Sequence, residues 1–600
     1  MNADYKIENN VPGDYSMIKR TKIVCTVGPS TDKPGVLDDM IAAGMNVARF
    51  NFSHGNHEDH GKRIAMVRAA AQRVRKPIAI MLDTKGPEMR IGKFAGDKVY
   101  LSAGQIFTLT PQDILGTVDR VSVNYKNLPQ EVMPGARILL ADGLVSLIIN
   151  KIDGDDIITT VQNNGEMSNN KRVAVPGVPI NLPPVSAQDV SDILFGVKQS
   201  IDFIAASFIQ KAADILAIRK VLEDAGSHTA IVAKIESPLG VDNIDAILKV
   251  ADGIMVARGD LGVEIPTEDV PIVQKMLIRK CNQAGKPVIT ATQMLESMIV
   301  NPRPTRAEAS DIANAIMDGT DAIMLSGETA SGQYPVEAVQ MMAKIAMRTE
   351  RELGYESIFV QKGVHSKGTT TDAVSHATVQ IAHELKAKCI ITATETGYTA
   401  RMISQYRPKA TIIAVTPYEK IARLTQLFWG VYPLIINRYR DTDEMVESSI
   451  RAALLGKVIN DGDLVVITAG VPVGISGTTN MIRVHLVANI LLSGQGIGQD
   501  CVTGKICIVR SVKDMQEKYQ SGDIMVIAGI DEHTASQGVK ASAIITEEGG
   551  FTSNAAIIGI NYNIPVIVNA IGAVDVLQDG MTVTVDPIRG VIYQGEINVR

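Results

Sequence analysis

Cysteine and aromatic residues are scarce in this chain, and several kinds of long run are missing altogether. Five cysteines occur in 600 residues, at Cys25, Cys281, Cys389, Cys501 and Cys507, odd in number, scattered and never in a CxxC pair. That pattern excludes a disulfide scaffold and reads as reduced thiols in the cytosol. Aromatic residues make up 4% of the chain, with Trp429 the single tryptophan, and no stretch interleaves them with basic residues. A net charge of -6 without a long basic run argues against a nucleic-acid-binding surface. No apolar run approaches the ~18 residues of a membrane span. The uncharged stretch 549–574 is interrupted by Asn554, Asn561, Asn563, Pro565 and several glycines, which predicts buried strands and turns. MNADYKIENNVPGDYSMIKR, at the N-terminus, lacks the apolar core of a secretory signal. The expectation is a soluble, cytoplasmic protein with no membrane and no nucleic-acid partner.

What is present is ample apolar side chain, 46% of residues against 21% charged, enough for several cores. The length predicts roughly four domains of ~150 residues. Over the first 350 residues a short β-branched apolar run alternates with an amphipathic helical stretch. The runs are TKIVCTV, NVARFNFS, IAIMLDT, FIAASF, AIVAKIE, GIMVARGD, VITATQ and AIMLSGE. Strands that are apolar throughout and alternate with helices predict a parallel sheet covered on both faces. Eight such units predict a (β/α)8 barrel.

Between Thr84 and Phe203 the rhythm breaks into alternating short strands without helices, which predicts an inserted all-β lid. The expected organisation is an N-terminal extension over 1–17, barrel segments 18–86 and 184–352, and the lid over 87–183. An α/β domain follows over 353–490, and a β-rich α/β module over 491–600. The boundaries rest on a polar connector at 361–370 and a Gly-rich linker, LLSGQGIGQD, at 491–500.

The candidate chemistry sits at the strand ends. Arg49, Asn51 and Ser53 are two apart in NVARFNFS, as are Lys234 and Glu236 in AIVAKIE, so each set shares one strand face. A lysine inside a barrel strand carries a large desolvation cost unless it is paired or used. By itself it fits a structural Lys–Glu pair as well as a catalytic one. Asp83, Thr84, Arg258-Gly259-Asp260, Thr292 and Ser326-Gly327-Glu328 are expected to converge on the same mouth, where such barrels build active sites. Glu236 and Asp260 offer two hard oxygen ligands suited to Mg²⁺. Asn51, Ser53, Asp83 and Thr84 offer oxygens with one formal charge, better suited to a monovalent cation, although by themselves they fit ordinary rim hydrogen bonding better.

ARFNFSHG, LDTKGPE, AKIE, ARGDLG, ATQMLESM and LSGETA, in this order and spacing, resemble the pyruvate kinase family over residues 18–485. The resemblance implies transfer of a phosphoryl group from phosphoenolpyruvate to ADP, giving pyruvate and ATP at the end of glycolysis. It implies that Lys234 and Arg49 meet the migrating phosphoryl group and that Glu236 and Asp260 hold Mg²⁺ (or Mn²⁺). Gly259, Asp260 and Thr292 would bind the substrate, with Thr292 near the path of enolate protonation. Asn51, Ser53, Asp83 and Thr84 would form a K⁺ site, and Glu88 matches the K⁺-dependent members. Asn51, Phe52, Ser53, His54 and Arg90 would face ADP or ATP. The chain departs from many members at Gln188, where a nucleotide-contacting lysine is usual. The resemblance also implies a homotetramer and an allosteric pocket for a phosphorylated sugar or nucleotide, here Thr394, Thr396, Gly397 and Thr399 in TETGYTA, with GVPVGISGTTN nearby.

Two other signals are weighed against plainer readings. His54, His57 and His60 in HGNHEDH are three apart, which spreads them around a helix instead of stacking them as metal ligands; solvated histidines are expected. EEGGFTSNAA, Glu547–Ala556, is similar to the GG-x-T-S-H-A-A signature of the mobile domains of phosphoenolpyruvate-using phosphotransferases, with Asn554 in the place of the phosphorylated histidine. An amide nitrogen is no nucleophile, so this module is expected to be structural or regulatory. Competing readings of the whole chain are a Schiff-base enzyme using Lys234 and a non-catalytic metabolite sensor.

Overall fold

The computed structural model describes residues 19–141, 143–178, 180, 182–363, 368–471 and 478–597. The expected extension over 1–17 and the 472–477 part of GVPVGISGTTN lie outside them. The described residues fall into two compact units. One holds the chain up to 377 with 392–442 and 469–480; the other holds 378–391, 443–468 and 481 onward.

In the first unit, eight parallel strands close into a barrel: Lys22–Thr26, Val47–Asn51, Ala79–Asp83, Phe203–Ala206, Ala230–Ile235, Gly253–Ala257, Val288–Ala291 and Ala322–Leu325. Each pairs with its sequence neighbours, and the last pairs with the first. They are the eight runs predicted from the apolar pattern. Alternate side chains separate into two layers. Ile23, Ala48, Ile80, Ile204, Ile231 and Ile254 pack outward against the helices. Val24, Val47, Met81, Phe203, Val232 and Met255 fill the lumen. Arg49, Asp83 and Lys234 each lie two residues beyond a lumen residue. The same periodicity therefore carries them to the lumen's C-terminal end.

The lid is inserted after the third barrel strand as a seven-stranded sheet around its own core of Phe107, Leu109, Ile138, Leu147 and Ile157. Gly86 marks the exit from the barrel at φ +71. A Cβ there would lie 2.8 Å from the Ser207 side chain, so only glycine lets the two strand ends approach so closely. The lid's strand Arg172–Ala174 pairs with Met89–Arg90, the strand just past that exit.

From Thr370 helices and strands alternate again as far as Leu464–Ala469. Within the first unit, Thr411–Thr416 pairs in parallel with Val431–Ile435. The stretch 353–490, expected as one domain, contributes to both units.

The C-terminal module is an eight-stranded mixed sheet. LLSGQGIGQD is no linker: Ile490–Ser493 and Gln495–Ile497 are the two outermost strands of that sheet. Its glycines have a packing role, since a Cβ on Gly496 would overlap the Pro587 carbonyl oxygen at 1.8 Å. No helix among the described residues is long and apolar enough to cross a membrane.

Candidate active site

Arg49 and Lys234 meet on one carboxylate at the top of the lumen. The Arg49 Nε donates to Asp83 Oδ2 at 2.6 Å, and the Lys234 ammonium donates to Asp83 Oδ1 at 3.1 Å. Thr26 Oγ1 accepts from the Arg49 guanidinium at 2.9 Å, and Ser207 Oγ accepts from Lys234 at 2.7 Å. Asp83 is 1% exposed. Burial pushes its carboxyl upward, but Arg49 and Lys234 outweigh that and hold it below the usual carboxylate range. Burial works against the charge on Lys234 too, and Asp83 and Glu236 overcome it, so the ammonium is held above its ordinary pKa. A lysine raised in this way is a fixed point charge, not an amine nucleophile. This is the opposite of the depressed amine that the Schiff-base alternative needs.

Glu236 is different. One oxygen accepts the Phe208 backbone N–H at 2.7 Å, from a residue in the left-handed region at φ 57. The other, Oε1, is buried, and its one partner is the Lys234 ammonium 2.9 Å away, which is shared with Asp83 and Ser207. Burial, then the like charge of Asp260, raises this carboxyl to about 7 despite Lys234. Asp260 lies in the first turn of the short helix Arg258–Glu264 after the sixth strand and is held by the lid: Arg172 donates to its Oδ1 at 2.6 Å. Four carboxylates (Asp83, Glu236, Asp260 and Glu264) thus face three cations (Arg49, Lys234 and Arg172). More carboxylates than cations, with Glu236 incompletely compensated by a lysine it shares, fit a divalent cation ligated by Glu236 and Asp260.

Thr292 sits at φ 66 just past the seventh strand. Its hydroxyl accepts the Gly259 N–H at 2.8 Å and donates to the Ala291 carbonyl at 2.6 Å. Arg258 does not enter the mouth. Its guanidinium forks onto Asp311 at 2.8 and 2.7 Å and donates to the Thr292 carbonyl at 2.6 Å, fixing the Thr292 loop. Glu328 also leaves the expected ring: fully buried, it caps the backbone N–H groups of Leu295 and Ser326. The cation that completes the site comes instead from the lid, as Arg172.

Around the third strand, Asn51 Oδ1 accepts the Ser53 N–H at 3.1 Å, and Thr84 Oγ1 accepts the Ser207 N–H at 3.1 Å. Asn51 and Asp83 are register partners on adjacent strands. These neutral oxygens around one carboxylate fit a weakly hydrated monovalent cation. Glu88 pairs with Arg90, whose Nε donates to it at 2.8 Å.

The histidine run is not solvated as expected. His60 is buried and stacks on Phe52 with ring centroids 4.1 Å apart. His57 stacks on Phe195 at 4.4 Å and bonds Asp192 at 2.6 Å. Only His54 is exposed. The Phe52 ring is wall material, and Gln188 is turned onto Asp192 at 2.8 Å.

In TETGYTA the Thr394 hydroxyl accepts the Gly397 N–H at 2.9 Å, and the Thr399 and Thr479 hydroxyls pair at 3.0 Å. Thr396 is exposed, whereas Thr394, Gly397 and Thr399 are buried. In EEGGFTSNAA, Ser553 caps the helix Asn554–Tyr562 by accepting the Ala556 N–H. The Asn554 amide donates to the Ile530 carbonyl at 2.7 Å. The histidine's place is filled by a side chain that ties the helix start to a neighbouring loop.

Thr26, Ser207, Glu264 and Arg172 escaped the sequence reading. Ser207 lies two residues past Ala205 of the lumen layer, so the strand period could have found it. Arg172 had no signal, because it reaches Asp260 across 88 residues from a different domain.

A barrel mouth with a buried lysine and arginine, adjacent carboxylates and a lid suits a phosphotransferase. Comparison with known proteins makes this specific. Models of the pyruvate kinase barrel domain and α/β domain match residues 18–339 and 372–485, and that of the PEP-utilising enzyme mobile domain matches 519–590. Pyruvate kinases from Geobacillus stearothermophilus and Bacillus licheniformis are 50% and 48% identical, each over 97% of this chain and their own full length. The crystal structure of a pyruvate kinase from Cryptosporidium parvum is similar with a TM-score of 0.75 and 39% identity, covering 81% of this chain and 98% of that one. The chain belongs to the pyruvate kinase family. Its reaction is transfer of the phosphoryl group of phosphoenolpyruvate to ADP, giving pyruvate and ATP.

Proposed function

We propose that the barrel mouth carries out this transfer with Lys234, Arg49 and Thr292 as its reacting-centre residues and with Mg²⁺ (or Mn²⁺) and K⁺ as cofactors. The observation that carries the reading is the Lys234–Asp83–Arg49 cluster beside the buried Glu236 carboxylate, which shares the same lysine. In the reaction the bond from phosphorus to the enolate oxygen breaks, and a bond forms from phosphorus to a β-phosphate oxygen of ADP. The enolate keeps the electron pair and is then protonated at carbon. Lys234 and Arg49 oppose the charge that spreads over the phosphoryl oxygens, and they are already oriented by Asp83, so little reorganisation is needed. Gly259 and Thr292 hold the substrate carboxylate, and the Thr292 hydroxyl stands near the carbon that takes the proton.

Glu236 and Asp260 would hold the divalent ion, which when bound polarises the enolate and phosphoryl oxygens. Asn51, Ser53, Asp83 and Thr84 would hold K⁺. His54, Arg90 and backbone of Asn51, Phe52 and Ser53 face the nucleotide, with the cavity of about 460 Å³ beside Gln188 and His57 as room for it. Thr394, Thr396, Gly397 and Thr399 are the effector residues, and the working form is a cytoplasmic homotetramer. A coupled assay for pyruvate, with and without each ion, tests the reading. Full activity requires both ions. No activity with both present overturns the assignment, and full activity in Na⁺ alone overturns the K⁺ site and the reading of Glu88.

A further inference from the structure

The contact between Arg172 and Asp260 joins the lid to a metal carboxylate. Arg172 opens the lid strand Arg172–Ala174 and donates to Asp260 Oδ1 at 2.6 Å. Its side chain is 9% exposed, and its guanidinium lies over the Phe208 ring, 4.8 Å from the centroid. Glu264, one helical turn beyond Asp260, stands 3.7 Å from the other Nη. A guanidinium cannot vacate the site by deprotonation. It has to move.

We propose that Arg172 is a positioning residue that acts as the built-in counter-cation of the metal site, seated on Asp260 until a divalent ion displaces it towards Glu264. This rests on the reading of Glu236 and Asp260 as metal ligands. Three carboxylates (Glu236, Asp260 and Glu264) share one half-dry corner, and Lys234, the other cation there, is also committed to Asp83 and Ser207. Without metal the cluster needs a positive charge, and the lid supplies it. With metal, an ion bonded to Asp260 and an N–H bonded to the same oxygen set two positive centres against each other. Glu264 is the acceptor within reach, so the exchange takes a short swing across the face of Phe208. Because Arg172 belongs to the lid strand, metal entry removes a lid anchor. By reciprocity, the anchored lid weakens metal binding.

The test uses the full chain and Mn²⁺ alone, with free Mn²⁺ followed by electron paramagnetic resonance. Arg172→Met keeps the apolar stem and removes the charge and the donors, and should tighten Mn²⁺ binding about tenfold, the worth of one charge-assisted contact. Arg172→Lys retains the charge and should fall between the two. Glu236→Gln serves as the control and must weaken Mn²⁺ binding. Hydrogen exchange gives a second readout: Mn²⁺ should speed exchange in the wild-type lid strand around 172–174 and leave it unchanged in Arg172→Met. Equal Mn²⁺ affinity of wild type and Arg172→Met, or lid exchange indifferent to Mn²⁺ in the wild type, overturns the proposal while leaving the metal site standing. If Glu236→Gln binds Mn²⁺ as well as wild type, the ligand assignment itself fails and the proposal with it.

Discussion

Lys234→Met is the perturbation whose outcome follows most directly from the geometry. Methionine keeps the length and the apolar stem, so the lumen stays filled above Val232. What disappears is an ammonium held by Ser207 at 2.7 Å, Asp83 at 3.1 Å and Glu236 at 2.9 Å. The fold should tolerate the loss, because Asp83 keeps Arg49 and Glu236, already raised to about 7, can take up a proton. A unit charge about 4 Å from a migrating phosphoryl group contributes about 4 kcal/mol at the effective dielectric of a partly solvated site. At 1.36 kcal/mol per decade this is roughly a thousandfold in kcat. The KM for phosphoenolpyruvate should change by less than about tenfold, since ground-state binding draws on several other groups. Pyruvate formation under saturating Mg²⁺ and K⁺ gives both constants, and circular dichroism confirms the fold. A kcat within about tenfold of wild type would refute the assigned role. So would a KM increase that accounts for the whole loss in kcat/KM, since Lys234 would then act in ground-state binding.

Three further outcomes are expected. The Lys362 ammonium lines a cavity of about 360 Å³, and burial, then the Arg407 charge, lowers its pKa to about 7. The unfolded chain keeps that proton up to the ordinary value of 10.5, so it binds more protons than the folded one between about 7 and 10.5, and stability rises with pH there. Lys362→Met should flatten the rise in thermal midpoint from pH 6.5 to pH 9, and parallel slopes in the two proteins would contradict this. Arg407 is paired with Asp321 at 2.7 Å, with both side chains below a tenth exposed. Arg407→Ala leaves Asp321 buried beside the Lys362 cavity and should cost about 3–5 kcal/mol in calorimetry; an unchanged midpoint would show the pair to be dispensable. Incubation with labelled phosphoenolpyruvate should leave no acid-labile phosphate on residues 491–600, because Asn554 has no nucleophilic nitrogen, and label recovered there would restore the carrier role.

Much of the site could be read from strand periodicity. Once Val47 and Val232 are lumen residues, Arg49 and Lys234 must point the same way, and no tertiary information is needed to pair them in one mouth. The uninterrupted apolar runs likewise predicted a parallel barrel, because a strand covered on both faces needs no polar alternation. The same local reasoning misassigned Arg258 and Glu328. A strand end places a residue at the rim without saying whether its side chain turns inward to the lumen or sideways to a helix such as Arg306–Asp318. The histidines of HGNHEDH were misjudged for a related reason: a polar ring is buried readily when an aromatic neighbour such as Phe52 or Phe195 offers a face. LLSGQGIGQD looked like a linker because glycine is ambiguous in sequence, serving flexibility in one place and close backbone approach in another.

The sequence by itself thus determined the barrel, the lid insertion and the identity of the charged groups at the mouth, since these follow from local pattern and spacing. Only the tertiary structure decided which carboxylate has to share its cation and which cation came to Asp260. The pKa of Glu236 is raised because barrel closure buries it and leaves it a lysine that it shares with Asp83 and Ser207. Arg172 meets Asp260 because the lid folds back over the mouth. Both are outcomes of long-range charge balance in a dry space, and no window of neighbouring residues carries that information.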